Sequence, residues 1–255
     1  MQLEGNVAIV TGASRGIGKA IAKLFAREGA KVVVAARSET EDPRLPGTIH
    51  GTVEEIVAEG GTAMAYRLDV RHEDAVQAMV GKVEDSYGPV DILVNNAAAS
   101  YPASMADLPL KRWDIIMDVN LRGYFLCIKA VMPAMIQRGH GAVLNLTSRS
   151  GEMSGRAYDG GSTLAYGVSK AAIDKLTIGL AEELREHGIV VNALKPKVPV
   201  ATEGTVTFFK GNVPESWGGP EDMAQAALYL VLQSPETRTG WVGFAEDLRD
   251  ETGAW

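Results

Sequence analysis

The sequence predicts one doubly wound α/β domain, with a central parallel sheet of about seven strands and helices on both faces. Short runs rich in β-branched residues alternate with longer helical patterns along the chain. These runs are mostly apolar on both faces, which is typical of parallel strands covered on both sides. The chain carries neither an internal repeat nor a linker-like change of composition, so we expect residues 1–255 to form a single domain.

Each expected strand is a short β-branched run, and a helical pattern follows most of them. The strand patterns lie at 7–10, 31–35, 63–70, 90–94, 142–146, 189–193 and 240–244. The helical patterns lie at 16–28, 49–59, 72–86, 110–137, 163–186 and 221–232. Strands and helices that alternate in this way indicate a parallel sheet.

Two loops interrupt the alternation. Residues 38–47 contain Glu-Asp-Pro and Leu-Pro-Gly, which predict an exposed loop after the second strand. Residues 196–219 combine prolines and glycines with apolar side chains such as Phe208, Phe209 and Trp217. Because long loops in compact domains are often binding loops, we interpret this second segment as a substrate lid.

Composition and charge exclude several classes of function. The net charge is −7 and the basic residues are scattered, so we expect no nucleic-acid partner. The longest apolar runs fall short of the roughly 20 residues that cross a bilayer, so we expect neither a membrane span nor a targeting segment. Cys127 is the only cysteine, which rules out an internal disulfide and fits a reducing compartment. We therefore expect a cytoplasmic protein, and we predict no metal site.

The first strand leads into the turn Thr11-Gly12-Ala13-Ser14-Arg15-Gly16-Ile17-Gly18 and then into a helix. Glycines at such a turn let the backbone approach a pyrophosphate, and the helix N-terminus offers free N–H groups and a favourable dipole. The spacing differs from Gly-x-Gly-x-x-Gly, so the motif takes its value from its place after the first strand. We expect a dinucleotide cofactor, bound here by Gly12, Ser14, Arg15, Gly16, Ile17 and Gly18.

Two arginines bear on the choice between NAD and NADP. The second strand ends in Ala35-Ala36-Arg37. In a NAD-selective site an acidic residue near this point binds the ribose 2′-hydroxyl, whereas an arginine accommodates a 2′-phosphate. Arg37, together with Arg15 in the glycine turn, therefore favours NADP(H). NAD(H) is the alternative if both arginines are ordinary solvated charges.

Tyr166 and Lys170 lie four residues apart in the helical pattern at 163–186, so their side chains share one face of the helix. A nearby cation favours the phenolate and lowers the pKa of a tyrosine, which is about 10 when unperturbed. A lowering of about three units takes roughly 4 kcal/mol, which one lysine and a second positive charge can supply. On its own the pair could equally be a surface pair, and the other motifs decide between the two interpretations.

Taken together, the motifs resemble the short-chain dehydrogenase/reductase family over nearly the whole chain. The resemblance also rests on Leu68-Asp69-Val70, Asn95-Asn96-Ala97-Ala98, Asp118-Val119-Asn120 and a serine three residues before Gly151. It implies a Rossmann-type fold and an NAD(P)-dependent enzyme acting on CH–OH groups. It implies a catalytic set of Asn120, Ser148, Tyr166 and Lys170. It also implies cofactor contacts from Asp69, Val70, Asn96, Ala97, Tyr166, Lys170 and Pro196.

The resemblance implies that a hydride moves between the nicotinamide and a carbonyl or alcohol carbon. Tyr166 is then the general acid and base, and Ser148 holds the substrate oxygen. Lys170 lowers the pKa of Tyr166 and binds the nicotinamide ribose, while Asn120 supports a water relay to Lys170. The family also implies a homotetramer, formed through the helical patterns at 110–137 and 163–186. Two alternatives stay open: a reductase of 3-oxoacyl thioesters, and a protein that senses NADP without turnover.

Some segments resemble a narrower group, the one around hydroxysteroid dehydrogenase-like protein 2 and bacterial citronellol dehydrogenases. They include residues 43–49 and the pair Pro196-Lys197, where most of the family has Pro-Gly. The apolar lid, with Met153 and Tyr101, predicts a small hydrophobic substrate: a terpenoid, a steroid-like compound or an acyl chain. An anionic acyl thioester stays open because of Lys195, Lys197 and Lys210.

One segment departs from the family pattern. The stretch between Ser148 and Tyr166 is several residues longer than is common, and we expect it to reshape the substrate cleft. Tyr158 within it competes with Tyr166 for the catalytic role. No basic residue stands four positions after Tyr158, so Tyr166 is the predicted acid and base.

Overall fold

The computed structural model describes residues 1–152, 163–208, 211–214 and 216–255, and in these residues seven strands form one parallel sheet. The strands are β1 (Val7–Thr11), β2 (Lys31–Ala36), β3 (Thr62–Arg67), β4 (Ile92–Asn95), β5 (Gly141–Leu146), β6 (Ile189–Lys195) and β7 (Val242–Phe244). Their order is β3-β2-β1-β4-β5-β6-β7, and all neighbours are parallel. The order reverses between β1 and β4, which opens a crevice at the carboxyl ends of these strands.

Helices cover both faces of the sheet. They are α1 (Gly16–Arg27), α2 (Ile49–Ala58), α3 (Glu73–Tyr87), α4 (Leu110–Met117), α5 (Gly123–Arg138), α6 (Leu164–Leu184), α7 (Glu203–Phe208), α8 (Pro220–Val231) and α9 (Ala245–Thr252). One buried cluster joins α1, α2, α8 and α9 to the sheet, and the other joins α3, α5 and α6 to the opposite face. Val10 of β1 packs in the first cluster and its neighbour Ile9 packs in the second, because successive side chains of a strand point to opposite faces of the sheet. The predicted doubly wound fold is confirmed.

The structure differs from the predicted elements in three respects. The pattern at 110–137 is two helices, α4 and α5, joined by a π-helical turn at Asp118–Arg122. Strand β3 ends at Arg67 rather than at residue 70, because the Asp69 carboxylate accepts the Arg71 backbone N–H and turns the chain. The sequence patterns also miss α7 and α9, which are 6 and 8 residues long.

The predicted lid at 196–219 begins after β6 and contains α7. A parallel bridge between Val200 and Gly218 ties its two ends together. Phe209, Lys210 and residue 215 lie outside the described residues. None of the helices in the described ranges has the length and apolarity that crossing a bilayer requires.

Candidate active site

A cleft of about 330 Å³ opens at the carboxyl ends of β1, β2 and β4. It lies at the crevice where the strand order reverses, the usual place for a ligand in a doubly wound fold. Four predicted cofactor residues that the structure describes are not in its lining: Gly18 packs behind the turn, Pro196 follows β6, and Tyr166 and Lys170 lie on α6. The predicted cofactor residues that do line the cleft are Gly12, Ser14, Arg15, Gly16, Ile17, Arg37, Asp69, Val70, Asn96 and Ala97.

The turn between β1 and α1 has no room for side chains at two of its glycines. A Cβ atom at Gly12 would lie 2.8 Å from the Ala97 Cα atom, and one at Gly18 would lie 2.6 Å from the Gly12 carbonyl oxygen. Gly12 and Gly16 also have positive φ angles, 67° and 57°, which glycine adopts without strain. The bare backbone leaves the N-terminus of α1 accessible from the cleft, an arrangement that fits a pyrophosphate.

Asn96 closes this turn from the β4 side. Its Nδ2 atom donates to the carbonyl oxygens of Thr11 and Gly12 at 2.9 and 3.0 Å. The Thr11 hydroxyl accepts the backbone N–H groups of Asn96 and Ala97 at 3.0 and 3.2 Å. Asn96 therefore acts by holding the turn in shape. Sequence reasoning missed Thr11, for which the available signal was a hydroxyl at the end of an otherwise apolar strand.

Arg15 and Arg37 lie at the end of the cleft next to β2. The Arg15 Nη2 atom donates to the Ser38 hydroxyl at 3.1 Å and to the Gly47 carbonyl oxygen at 2.7 Å, so this side chain is held against the loop after β2. Burial lowers the pKa of Arg15; the negative charges of Glu203, Glu41 and Asp42 oppose this effect, and the charge of Arg37 adds to it. Arg37 is exposed and forms no hydrogen bond or ion pair with another described residue. Its guanidinium is available to an anion in the cleft.

Asp69 and Val70 line the cleft beyond the end of β3. The Asp69 carboxylate pairs with Arg71 at 2.6 Å. Hydrogen bonds from Arg71 lower the pKa of Asp69 to about 2, so this carboxylate is ionised at neutral pH. Asp69 thus offers a fixed hydrogen-bond acceptor to a ligand.

A carboxylate that the sequence did not predict lies at the N-terminus of α1. The Glu203 Oε2 atom accepts the Gly16 backbone N–H at 2.8 Å. Its neighbours Thr202 and Gly204 line the cleft. Negative groups are stabilised at helix N-termini. Glu203 therefore sits where the glycine turn predicts a pyrophosphate, and residues of the predicted lid line this end of the cleft.

Tyr166 and Lys170 lie on α6, one turn apart, as predicted. The Lys170 ammonium is 1% exposed and lies 5.6 Å from the centre of the Tyr166 ring. It donates to the Leu146 carbonyl oxygen at 2.7 Å and to the Tyr124 hydroxyl at 3.1 Å. Burial lowers the pKa of Lys170 to about 7, and the negative charge of Asp174 opposes this. The phenol and the ammonium are therefore held side by side. Sequence reasoning missed Tyr124, which lies inside a continuous apolar helix.

Ser148 lies two residues beyond β5 and is 8% exposed. Its hydroxyl oxygen accepts the Ser150 backbone N–H at 3.2 Å. The segment after Ser148 packs directly on α6, since a Cβ atom at Gly167 would lie 3.3 Å from the Ser150 carbonyl carbon. Ser148 and Tyr166 are thus brought to the same end of the sheet. Tyr158 and Met153 lie outside the described residues.

Asn120 occupies the π-helical turn between α4 and α5 and is fully buried. Its amide donates to the Ala99 carbonyl oxygen at 3.0 Å and to the Ser169 hydroxyl at 2.9 Å, and it accepts the Ala99 N–H at 2.7 Å. The Ser169 hydroxyl donates in turn to the Tyr166 carbonyl oxygen at 2.7 Å. The Asn120 side chain therefore joins the segment after β4 to α6 through its hydrogen bonds to Ala99 and Ser169, and the water relay to Lys170 stays a prediction.

The comparisons with known proteins agree with this geometry. The family model described as short chain dehydrogenase matches residues 6–211. The chain belongs to the short-chain dehydrogenase/reductase family. Among its relatives is hydroxysteroid dehydrogenase-like protein 2. The Homo sapiens and Xenopus tropicalis proteins are each 37% identical to this short-chain dehydrogenase over 252 residues, 99% of the chain and 59% of the relative. The chain thus spans less than two thirds of the length of these relatives.

Solved structures of other family members share the fold. A short chain dehydrogenase from Mycobacterium thermoresistibile has a TM-score of 0.87 at 36% identity, covering 98% of this chain and 88% of that one. A metagenomic short-chain oxidoreductase in complex with NADP has a TM-score of 0.79 at 31% identity, covering 95% of this chain and 97% of that one. The chain thus shares its family with dehydrogenases and its fold with an oxidoreductase solved in complex with NADP.

Proposed function

We propose that this dehydrogenase transfers a hydride between NADP(H) and the carbonyl or alcohol carbon of a small hydrophobic substrate, with Tyr166 as the general acid and base. The observation that carries the proposal is the buried Lys170 ammonium beside the Tyr166 ring. A cation held there stabilises the phenolate relative to the phenol, and the tyrosine can then exchange its proton near neutral pH.

The nicotinamide cofactor supplies the hydride, and the protein supplies position and the proton. In reduction Tyr166 donates its hydroxyl proton to the substrate oxygen, and in oxidation its phenolate accepts the proton. The Ser148 hydroxyl hydrogen-bonds the same oxygen and holds it near the phenol. Lys170 stabilises the phenolate and, as the family resemblance implies, would bind the nicotinamide ribose. Asn120 acts as a positioning residue, through the hydrogen bonds that fix Ser169 and the start of α6.

The preference for NADP(H) rests on the two arginines beside β2. Arg15 is held by the loop after β2, and Arg37 is unpaired within the described residues and faces the same cleft. A 2′-phosphate would relieve the repulsion between the two guanidiniums and form charge-assisted hydrogen bonds with them. The relative solved with NADP supports the same cofactor. NAD(H) binding without the phosphate contacts is the weaker alternative.

A hydrophobic substrate fits the lysines better than an anionic one. Lys195 is buried and paired with two carboxylates, and Lys197 pairs with Asp247. Two of the three lysines that could have bound an anionic acyl thioester are therefore already paired with carboxylates. The third, Lys210, lies outside the described residues. The name of the relatives, hydroxysteroid dehydrogenase-like protein 2, supports a steroid-like substrate, and the apolar residues of the predicted lid fit a terpenoid or an acyl chain as well.

We also propose a homotetramer, in which α5 and α6 pair across subunits. Four apolar side chains on these helices are at least 43% exposed, an arrangement that association would bury. They are Phe125, Leu164, Val168 and Ile178. We propose a cytoplasmic location because Cys127 is the only cysteine of the chain and no internal disulfide can form.

A substrate panel with purified protein tests the proposal. NADPH oxidation is followed with citronellal, a 3-ketosteroid, a medium-chain 2-ketone and acetoacetyl-CoA as the four probes. Saturable turnover of any of the first three supports a hydrophobic carbonyl substrate. Turnover of acetoacetyl-CoA alone replaces it with a thioester reductase. NADPH binding with no turnover of any probe contradicts the assignment and favours a sensor.

A further inference from the structure

A cluster of charged side chains lies beside the proposed catalytic pair and has no part in the mechanism above. We call it the Lys195 cluster, and it consists of Glu152, Asp174 and Lys195. Lys195 ends β6, and its side chain is 3% exposed. Its ammonium lies 2.6 Å from the Glu152 Oε1 atom and 3.0 Å from the Asp174 Oδ2 atom. It also lies 5.4 Å from the centre of the Phe244 ring.

Asp174 connects this cluster to Lys170. The two residues are four apart on α6 and therefore lie on the same face, one turn from each other. One Asp174 oxygen binds Lys195, while the other, Oδ1, is buried with no hydrogen-bond partner among the described residues. The cluster holds one ammonium and two carboxylates, so the Lys170 ammonium brings the total charge of the four groups to zero. Opposite charge from Asp174 offsets the burial that disfavours a charged Lys170.

We propose that Asp174, held in place by Lys195 and Glu152, is a positioning residue that keeps Lys170 positively charged while Tyr166 exchanges its proton. The inference rests on the proposed function, since it requires Tyr166 to be the acid and base. A buried lysine without a countercharge loses its proton readily. Asp174 supplies the countercharge from α6, and the Lys195 ammonium fixes the direction in which its carboxylate points.

The segment after β5 packs on Lys170 at Gly151, and its carboxylate, Glu152, is paired with Lys195. From α5 Lys170 meets the Tyr124 hydroxyl, and burial raises the pKa of that phenol well above its ordinary value. From β5 it meets the Leu146 carbonyl oxygen, and on its own helix it meets Tyr166. Tyr124 is therefore neutral throughout the working range. The charge that acts on Lys170 comes from Asp174, moderated by Lys195.

The test is an absorbance titration of the phenolate at 295 nm, in which each protein is compared with its own Tyr166→Phe counterpart to isolate Tyr166. In Asp174→Asn we expect the Tyr166 pKa to rise by about one unit, the size that one charge a helical turn away produces in a partly screened site. The sign is informative. If the Asp174 carboxylate acts directly on the phenol, its removal lowers the Tyr166 pKa. If it acts by keeping Lys170 charged, its removal raises the Tyr166 pKa.

Two further variants keep the test decisive if Asp174→Asn folds poorly. Glu152→Gln changes a side chain that is 34% exposed and leaves Lys195 paired with Asp174 alone. The Lys195 charge then offsets more of the Asp174 charge, so the Tyr166 pKa should rise by a smaller amount. Lys195→Met frees the full charge of Asp174 and should lower the Tyr166 pKa. Glu182→Gln, at an 83% exposed carboxylate on the same helix, is the control and should cause no shift. The inference is overturned if the Tyr166 pKa shifts in the same direction in Asp174→Asn, Glu152→Gln and Lys195→Met, or if it shifts in none of them.

The outcomes separate this inference from the proposed function. A wild-type Tyr166 pKa of about 10, the ordinary value, contradicts the proposed function itself. A lowered wild-type pKa that Asp174→Asn leaves unchanged contradicts only the role of the cluster. A lowered pKa that rises in Asp174→Asn and returns in Asp174→Glu supports both.

Discussion

Replacing Lys170 with methionine tests how much this buried charge lowers the free energy of unfolding. The ammonium is 1% exposed, and burial lowers its pKa from 10.5 to about 7. This lysine should therefore destabilise the folded chain, because the unfolded state binds a proton that the folded state holds weakly. Methionine has a similar length and carries no charge, so Lys170→Met removes the penalty along with the charge.

The magnitude follows from the difference between the two pKa values. A lowering from 10.5 to about 7 corresponds to about 5 kcal/mol, at about 1.4 kcal/mol per unit. Below pH 7 both states are protonated and the penalty is complete. Between pH 7 and 10.5 the unfolded state binds more protons, so the stability of the wild type rises with pH. The penalty should fall by about 2 kcal/mol between pH 7 and pH 9.

The assay is urea unfolding at fixed protein concentration without cofactor, at pH 7, 8 and 9. The unfolding free energy of Lys170→Met relative to wild type should decrease by about 2 kcal/mol over this range. The hydrogen bonds lost from Leu146 and Tyr124 add a cost that does not depend on pH, so the slope is the quantity to compare. Lys175→Met, at an exposed position of the same helix, is the control and should show no slope. A flat difference for Lys170→Met would show that Lys170 is not perturbed by burial.

Three further predictions concern the cofactor and the assembly. Arg37→Asp should weaken NADPH binding by about 10-fold or more and leave NADH binding unchanged or tighter. Titrations followed by nicotinamide fluorescence measure both affinities, and Arg44→Asp is the control. Equal losses for both cofactors would refute the phosphate contact. Glu203→Gln should tighten NADPH binding by several-fold, because it removes the carboxylate charge that lies at the Gly16 N–H group, where we place the pyrophosphate. Weaker NADPH binding would show that Glu203 assists the cofactor. Phe125→Glu should reduce the tetramer to smaller species by light scattering, and an unchanged mass would exclude α5 from the interface.

The regular parts of the fold were predictable because they follow from local pattern. Runs such as 32–35 are apolar throughout because both faces of the sheet are covered, and that property is visible in the sequence. The spacing of Tyr166 and Lys170 likewise predicts their common helix face, since helical geometry sets it. The family assignment, which rested on several motifs in order, is confirmed.

The parts that sequence could not give depend on contacts between distant segments. Glu203 reaches the Gly16 N–H group from 187 positions away, and no local pattern announces such a contact. The π-helical turn around Asn120 is set by the hydrogen bonds to Ala99 and Ser169, while the residues themselves read as one continuous helix. The sequence left Lys195 as a possible contact for an anionic substrate because its partners, Glu152 and Asp174, come from other elements. The roles of the site residues stay predictions.

The measurement that tests the proposed chemistry most directly is a single turnover in Tyr166→Phe. Enzyme loaded with NADPH is mixed with the best carbonyl of the panel, and the loss of nicotinamide absorbance is followed. Tyr229→Phe is the control, since that ring packs on Trp255, and neither residue lines the cleft. We predict that Tyr166→Phe slows hydride transfer by a factor of about 10² or more, with NADPH affinity unchanged. A rate within a few-fold of wild type would contradict Tyr166 as the acid and base.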